Sequence, residues 1–289
     1  MPRSGLGRNM RKQVAREVSQ PITPVRCVSI DSTARVHETA VIECNAQLGP
    51  EVRVGPFAVI GADVVLEAGC RIGPHAVIAG RTRLGARTSV SAHAVLGGRP
   101  QRRDLAGAGE LWVGPDNDLR EFVTVHAGSP GEVTRLGAGN LLMAYAHVAH
   151  DCVIGDGCEI ANAAQLGGHV RLGDGVTIGG LAALHQFVCV GDLAMIGGGA
   201  MVSQDVPPFC QASGDRARVY GINRVGLERA GYDDATRDRI GQAVHVFLSA
   251  PTIEEGIDLL VGRYAGSEEI ARLIDFATEA RRGLCRPVW

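Results

Sequence analysis

An aliphatic residue recurs at every sixth position over most of this chain. The spacing holds without a break over 30–96, returns over 113–125, and runs again over 136–202. A period of six fits neither the 3.6-residue period of an α-helix nor the simple alternation of a β-strand. Each hexad is therefore predicted to be a short extended segment followed by a corner, where the frequent glycines supply backbone freedom.

Three hexads make a triangular coil of 18 residues, with one aliphatic side chain of each hexad directed inward. Successive coils stack at the spacing of neighbouring β-strands, about 4.8 Å, so residues 18 apart in the chain become neighbours. This pattern resembles the hexapeptide-repeat, left-handed parallel β-helix. The predicted fold class is therefore an all-β left-handed parallel β-helix with a C-terminal α-helical domain.

Breaks in the repeat divide the chain into three parts. Residues 1–28 are basic, carry no repeat, and are predicted to form a flexible leader. The β-helix is predicted over 29–208, and two polar segments, about 97–112 and 126–135, are predicted to leave it as excursion loops. Such loops on a rigid scaffold often carry binding groups. Residues 209–289 are predicted to form a helical domain, because their apolar residues recur at spacings of three and four.

The composition argues against several classes of partner. The 289 residues have a formal net charge of −2, so they lack the positive charge that binds nucleic acid or a membrane surface. No apolar run approaches the ~18 residues of a membrane span, and the basic start lacks the apolar block of a secretory signal. We therefore expect a cytoplasmic protein.

The eight cysteines contain no CxxC pair and are expected to be free thiols.

Four histidines lie close together in the second half of the repeat: His147, His150, His169 and His185. By the 18-residue period, His169 and His185 fall within one residue of the position of His150 on successive coils, so these three rings are predicted to form a column. Gly168 and Gln186 lie one and two periods after His150. A residue without a side chain is therefore expected directly beside the His150 ring.

These residues have the parts of an acyl-transfer site. His150, flanked by Asp151, would act as general base toward a hydroxyl or amine, which is worth roughly 10² to 10⁴ in rate. The uncovered Gly168 N–H would bind the oxyanion on the acyl carbonyl, and one such donor is worth about 2.7 to 4 kcal/mol. No metal ion is required. His75 and His93, also 18 apart, are expected only to cover the surface.

Histidines on a β-helix could instead bind zinc, as in the γ-class carbonic anhydrases, which share this repeat. Three neutral imidazoles with an open position are the usual catalytic arrangement. Here the other groups of the column are Gly168 and Gln186, which are not usual zinc ligands. A zinc hydratase is therefore a less favoured alternative, and no metal is expected. A noncatalytic solenoid is a further alternative, but it has no need for a histidine column.

Several segments are more specific than the repeat: HVAHDC at 147–152, GGHV at 167–170, LHQF at 184–187 and QDVPP at 204–208. With them the chain resembles the UDP-N-acetylglucosamine O-acyltransferases of lipid A synthesis, over about 30–287. Members of that family move a 3-hydroxyacyl chain from acyl carrier protein to the sugar 3-hydroxyl. They are homotrimers with sites between neighbouring prisms, and the resemblance implies the same here.

The resemblance also implies a role for each candidate residue. His150 would be the general base, with Asp151 beside it and Gly168 as the oxyanion donor. Substrate contacts are implied for a further set: His147, His169, His185, Gln186, Gln101, Asp104, Asn223 and Arg229. Met195 and Gly198 match positions that limit acyl length, and the glycine favours a long chain. The donor would be the phosphopantetheine thioester of acyl carrier protein, with no cofactor, and arginine-rich surfaces would suit that acidic partner.

The chain departs from the family pattern at three places. Its first excursion loop reads QRRDLAG at 101–107, longer than the family's Gln-Asp-Leu-Lys-Tyr and without the Lys and Tyr, whose contacts Arg102 or Arg103 could replace. Tyr145 stands where the family has Asn, and Val225 where it has an acidic residue. The acceptor could therefore be a 3-amino nucleotide sugar, and N-acylation of such a sugar is the first alternative function.

Overall fold

The computed structural model of this chain describes residues 28–104 and 106–289. The leader predicted over 1–28 therefore lies almost entirely outside the described residues. Leu105, in the first predicted loop, also lies outside them.

Short strands form three sheets, which are the walls of a triangular prism. Sheet A contains Ser29–Ile30, Gln47–Leu48, Val65–Leu66, Arg81–Leu84, Glu110–Val113, Val133–Leu136, Val153–Ile154, Arg171–Leu172 and Cys189–Val190. Sheet B contains Arg35–Val36, Arg53–Val54, Arg71–Ile72, Ser89–Val90, Asp118–Leu119, Leu141–Leu142, Glu159–Ile160, Thr177–Ile178, Met195–Ile196, Cys210–Ser213 and Arg218–Ile222. Sheet C contains Val41–Ile42, Val59–Ile60, Val77–Ile78, Val95–Gly98, Thr124–His126, His147–Val148, Gln165–Leu166, Ala183–Leu184 and Met201–Val202.

Strand pairing follows the 18-residue period. His147 pairs in parallel with Gln165, and Gln165 pairs with Ala183. The offset is larger at two places, because the chain leaves the stack between residues 98 and 110 and again between residues 126 and 133. The predicted left-handed parallel β-helix with C-terminal helices is confirmed.

The aliphatic residue of each hexad lies inside the prism. Ile60, Ile78 and Leu96 are fully buried and lie one above another on sheet C. One coil alone buries too little apolar surface to be stable, so stacking provides each of these side chains with apolar neighbours above and below. Burial of each one contributes about 1.5 to 3 kcal/mol.

The cysteines that the structure describes are free thiols, as predicted, and most are buried in this interior. Cys27 lies outside the described residues. Burial raises the pKa of Cys152 to about 12 and that of Cys158 to about 12. Both thiols are therefore protonated at neutral pH, which makes them poor nucleophiles.

Most corners of the prism turn through a residue in the left-handed conformation. Asp151, His169 and Phe187 have φ angles of 62°, 62° and 68°, and they occupy the same corner of three successive coils. Few non-glycine residues adopt such angles. The stack imposes them through hydrogen bonds between coils, such as the His169 N–H to the His150 carbonyl at 3.0 Å. The stacked backbone therefore fixes where these side chains point.

Four helices follow the prism: α1 (Arg224–Arg229), α2 (Asp234–Ser249), α3 (Ile253–Arg263) and α4 (Glu268–Glu279). The side chains of Asn223, Asp233 and Thr252 accept hydrogen bonds from backbone amides at the N-termini of α1, α2 and α3. These caps satisfy donors that have no partner within a helix. Within the described residues, no helix is both long and apolar enough to cross a membrane.

A buried carboxylate joins the segment after α4 to the last coil. Asp205 is fully buried, and its Oδ1 accepts a hydrogen bond from the Cys189 N–H. Its Oδ2 accepts the backbone N–H groups of Arg281 and Arg282. A buried charge requires such donors, so this segment is held firmly beside sheet A.

Candidate active site

The catalytic candidates lie at the corner where the chain passes from sheet C to sheet A. His147 belongs to the last strand before this corner, and His150 and Asp151 form the corner itself. The strand register places Gly168 and Gln186 at the position of His150 on the next two coils.

His150 and Asp151 form a hydrogen-bonded pair at this corner. The distance from His150 Nδ1 to Asp151 Oδ2 is 2.7 Å, and the side chains of His150 and Asp151 are only 11% and 6% exposed. Since an ionised carboxylate only accepts, His150 Nδ1 must carry a proton. His150 Nε2 then keeps its lone pair and is able to take a proton from a substrate.

Ser129, in the second loop, holds the Asp151 carboxylate in place. The Ser129 N–H donates to Oδ1 at 2.7 Å, and the Ser129 hydroxyl donates to Oδ2 at 2.6 Å. The Asp151 N–H donates in turn to Thr134 Oγ1 at 2.8 Å. Burial alone would raise the pKa of the Asp151 carboxyl, but the hydrogen bonds from Ser129 and His150 outweigh it, so the pKa lies below its usual value.

Gly168 leaves the space that the His150 ring occupies. A Cβ atom at residue 168 would lie 2.7 Å from His150 Cε1 and 2.9 Å from Nε2, closer than any real contact allows. Within 28–104 and 106–289, the Gly168 N–H donates to no acceptor. An unused amide donor therefore lies beside the proposed base, as an oxyanion site requires.

The histidines surround this corner, but they do not form the single column that the sequence predicted. The His169 ring lies 5.3 Å from the His150 ring and 4.4 Å from the Phe187 ring, between centroids. On its coil His169 occupies the place that Asp151 occupies on the coil before. His185 lies one residue before Gln186, which is the residue aligned with His150. At a corner, consecutive residues point their side chains in very different directions. His169 follows His150 by 19 residues and not by 18, so its ring does not stack directly on the His150 ring.

His147 and His185 have different surroundings. His147 Nδ1 lies 2.7 Å from Thr124 Oγ1, and burial lowers the pKa of the His147 imidazole. His185 is exposed, with its Nδ1 3.1 Å from the Gln186 carbonyl oxygen. The structure thus brings His147, His150 and His169 to one corner and places His185 and Gln186 farther along the prism.

Sequence reasoning missed His126, Ser129 and Thr134. All three lie in the second polar segment, and only their place in a break of the repeat could have indicated them. The His126 ring packs edge-on against the His147 ring, with 4.8 Å between centroids. Its Nδ1 is buried and has no hydrogen-bond partner among the described residues. Burial, aided by the nearby His147 and His150, lowers the pKa of His126 to about 4.

This buried imidazole predicts a loss of stability in acid. Between pH 6.5 and pH 4 the unfolded chain protonates His126 but the folded chain does not, so the free energy of unfolding falls as the pH falls. The full loss is about 3 kcal/mol. Chemical denaturation at pH 7 and pH 4 should show a smaller pH effect in His126→Gln than in the wild type. The exposed His245→Gln variant should match the wild type, and equal pH effects in all three proteins would refute this role for His126.

The first loop reaches the same corner. Asp104 pairs with Arg102, with 2.6 Å between Oδ2 and Nη2. The Arg102 guanidinium, and more weakly His150, hold the pKa of the Asp104 carboxyl below its usual value. Arg102 also lines a groove together with Asp151 and His169. Gln101 is exposed on this loop.

The remaining predicted residues lie elsewhere on the chain. Asn223 is buried, and its side chain accepts from the Gly226 N–H and donates to the Leu193 carbonyl at 2.8 Å. Arg229 is exposed at the end of α1. Met195 lies on sheet B, and Gly198 is exposed at the corner that follows it. Within one chain these four residues are therefore separate from the His150 corner.

One group within the described residues has ligand atoms close enough to hold a metal ion. His150, Asp151 and His169 each offer an atom within 4.8 Å of the others. Both Asp151 oxygens already accept hydrogen bonds from Ser129. A metal ion at this place would therefore compete with these donors for the carboxylate oxygens.

The fold and this corner together define a hexapeptide-repeat acyltransferase, in which a histidine–aspartate pair and an unused backbone amide lie at one corner of a β-helix. Family models agree in two parts of the chain. Bacterial transferase hexapeptide (six repeats) matches residues 39–73 and 134–168. Udp N-acetylglucosamine O-acyltransferase; Domain 2 matches residues 205–285.

Similar proteins make the assignment more specific. Two acyl-[acyl-carrier-protein]--UDP-N-acetylglucosamine O-acyltransferases, from Myxococcus xanthus and Thermodesulfovibrio yellowstonii, are 48% and 40% identical to this chain over 257 residues. The alignments cover 88% and 87% of this chain and 100% and 99% of the relatives. The solved UDP-N-acetylglucosamine acyltransferase from Campylobacter jejuni superposes with a TM-score of 0.83 at 35% identity, covering 87% and 99% of the two chains. This chain belongs to the UDP-N-acetylglucosamine O-acyltransferase family.

Membership in this family confirms the resemblance seen in the sequence. It makes the chain an enzyme of acyl transfer, and it disfavours both the zinc hydratase and the noncatalytic solenoid. It also disfavours the N-acyltransferase alternative, because the relatives are named as O-acyltransferases.

Proposed function

We propose that this chain transfers a 3-hydroxyacyl group from acyl carrier protein to the 3-hydroxyl of UDP-N-acetylglucosamine, the first step of lipid A biosynthesis. The observation that carries this proposal is the His150–Asp151 pair beside the free Gly168 amide. Its support is the set of relatives, whose names specify this donor and this acceptor.

The residues at the corner supply a complete proton path. His150 Nε2 removes the proton of the sugar 3-hydroxyl as its oxygen attacks the thioester carbonyl, and the new C–O bond produces a tetrahedral oxyanion. The Gly168 N–H donates to that oxyanion. When the C–S bond breaks, the protonated His150 returns its proton to the leaving thiolate, so that the ester and a free thiol remain and His150 is neutral again.

Asp151 acts on His150 and does not itself lose or gain a proton. Its negative charge stabilises the imidazolium that forms during attack, and its hydrogen bond fixes the ring orientation. Ser129 is a positioning residue for Asp151. His147 and His169 flank the same corner and are proposed to contact the sugar or the acyl thioester.

We also propose that the enzyme acts in the cytoplasm as a homotrimer. Support for the trimer comes from the separation of Met195, Gly198, Asn223 and Arg229 from His150 within one chain. A neighbouring prism would bring these residues to the corner, where Gln101, Asp104, His185 and Gln186 would complete the substrate contacts. Gly198 is exposed and carries no side chain, which favours a long acyl chain.

The direct test supplies the purified enzyme with carrier-bound 3-hydroxyacyl chains of graded length. UDP-N-acetylglucosamine and its 3-amino analogue are offered as competing acceptors, and mass spectrometry identifies the products. We expect an ester of UDP-N-acetylglucosamine, formed fastest with the longer chains. Formation of the amide alone would show that the acceptor is an amino sugar, and no transfer to either acceptor would refute the proposed function.

A further inference from the structure

Three arginines form a row on the outer face of sheet B, close to the start of the prism. Arg35 pairs in register with Arg53, and Arg53 pairs with Arg71. All three residues are exposed. Because they are 18 apart in the sequence, the repeat that builds the prism also places one arginine on each of three successive coils. At the strand spacing of about 4.8 Å, this arginine row is about 10 Å long.

The arginine row has no acidic partner in the part of the chain that the structure describes. None of its members forms a salt bridge there. Other exposed arginines of the prism do pair, as Arg83 does with Glu67 at 2.6 Å. Along the outer face of sheet B the first carboxylate is Asp118, two coils beyond Arg71. Like charges in a line repel one another, so the stability of the fold does not explain the row.

The arginine row lies in an open groove of about 990 Å³ on sheet B. Hydroxyl groups of Ser89 and Ser91 extend the row at one end, because Ser89 follows Arg71 in the register. Among the described residues that line this groove, the one carboxylate is that of Glu121, which pairs with Arg120 at 3.3 Å. The groove therefore offers hydrogen-bond donors and positive charge to a ligand.

Arginines without acidic partners are suited to bind phosphate. A guanidinium group offers paired N–H donors that match two phosphate oxygens, so several such groups in a line match a chain of phosphates. A surface lined by one sign of charge also raises the local concentration of counter-ions. The whole chain has a formal net charge of −2, which opposes a long polyanion such as nucleic acid. A short chain of phosphates fits the length and the charge of the row.

We propose that the arginine row binds a short oligophosphate, with successive phosphates on successive guanidinium groups. The ligand is either an inorganic oligophosphate or the phosphate chain of a nucleoside polyphosphate, and both present the same chemistry to the row. Arg35 and Arg71 contact the two ends of the chain. Arg53 contacts its centre, so the removal of Arg53 is the most informative substitution.

This site is separate from the active-site corner. The sheet B register runs from Arg71 through Ser89 and Asp118 to Leu141, which lies on the coil of His150. Three coil spacings correspond to about 14 Å along the prism axis. An oligophosphate on the arginine row therefore does not touch the reacting groups, and its binding is a property additional to acyl transfer.

The binding test titrates the full-length protein with inorganic tripolyphosphate in a calorimeter. Saturating UDP-N-acetylglucosamine keeps the phosphate contacts of the active site occupied. We expect one tripolyphosphate per chain and a Kd about tenfold higher for Arg53→Gln. Arg53→Lys keeps the charge but not the paired donors, so it should also bind more weakly than the wild type. Equal affinity of Arg53→Lys and the wild type would show that diffuse charge alone attracts the ligand and would overturn the proposal.

Arg83→Gln is the matched control for the binding test. Arg83 is an exposed arginine whose neighbours in register, Val65 and Trp112, carry no charge, so this variant should bind tripolyphosphate like the wild type. Adenosine triphosphate is the second probe. Equal affinity for the two probes identifies the phosphate chain alone as the ligand, a higher affinity for the nucleotide identifies a nucleoside polyphosphate, and either result supports the proposal. No binding of either probe, or the same loss in Arg83→Gln, would overturn it.

Thermal unfolding without ligand gives an independent test. Arg53→Gln removes the central charge and so relieves repulsion along the row, and at low salt its Tm should exceed that of the wild type by about 2 °C. The difference should disappear in 1 M NaCl, where the Debye length is about 3 Å. Arg83→Gln should not raise the Tm, because it removes an ion pair. A lower Tm for Arg53→Gln would show that Arg53 stabilises the fold, against the proposal.

An acidic protein surface is the competing class of ligand for the arginine row. Acyl carrier protein without its phosphopantetheine arm is the probe, and we expect the wild type and Arg53→Gln to bind it equally. If Arg53→Gln instead loses the carrier protein and keeps tripolyphosphate, the row is a protein-docking surface and the oligophosphate site is refuted.

Discussion

Replacement of His150 by alanine should lower kcat by at least about 10²-fold while the fold persists. The His150 Nε2 atom lies beside the unused Gly168 amide, and general-base catalysis raises the rate roughly 10²- to 10⁴-fold. The KM values should change less, because the base acts mainly in the transition state. Steady-state kinetics with carrier-bound donor and UDP-N-acetylglucosamine will measure the effect.

His75→Ala is the control for this prediction. His75 is another outward histidine of the prism, stacked between the Phe57 and His93 rings with 5.0 Å between centroids on each side, and it lies far from the sheet C to sheet A corner. It should retain wild-type kcat. A loss as large as that of His150→Ala would show that the site is placed at the wrong corner.

A single methyl group added at residue 168 should also lower kcat by about 10²-fold. In Gly168→Ala the new Cβ would lie 2.7 Å from His150 Cε1, so the ring must turn away from Asp151 and from the substrate. The backbone amide remains, but the new methyl group hinders its contact with the oxyanion. Loss of one such donor lowers kcat by roughly 10²- to 10³-fold in comparable sites. Kinetics and thermal unfolding of the variant separate catalytic damage from misfolding.

The matched control is Gly262→Ala on α3, where a Cβ would meet no atom within 4 Å. This variant should keep full activity and should gain up to about 1 kcal/mol in stability, because alanine favours a helix more than glycine does. Full activity of Gly168→Ala would show that the ring and the amide do not work together as proposed.

The departures from the family pattern have structural explanations at two positions. Tyr145 does not face the His150 corner; it ends a column of stacked rings on another corner. This column contains Phe57, His75, His93, Phe122 and Tyr145, with neighbouring centroids 4.8 to 5.0 Å apart. Tyr145 therefore continues the ring column. Arg102 reaches the groove beside Asp151, in the loop that lacks the family's lysine.

The sequence by itself determined the prism. Aliphatic side chains at every sixth position cost free energy when they are exposed to water. Stacked triangular coils bury all of these side chains at once. That period also determined which residues are neighbours, so it placed Gly168 beside His150 although they are 18 positions apart. The specific segments around His147 to Cys152 then identified the family.

Only the tertiary structure decided how the corner works. The Ser129 and Thr134 contacts to Asp151 come from a segment without a repeat, where no period relates sequence to position. The same holds for Arg281, which a buried carboxylate on Asp205 holds beside sheet A. The direction of His169, one residue out of register, depends on corner φ angles that the stacked coils impose. Periodic burial is a local property that a sequence displays, whereas hydrogen bonds between distant irregular segments form only once the chain has folded.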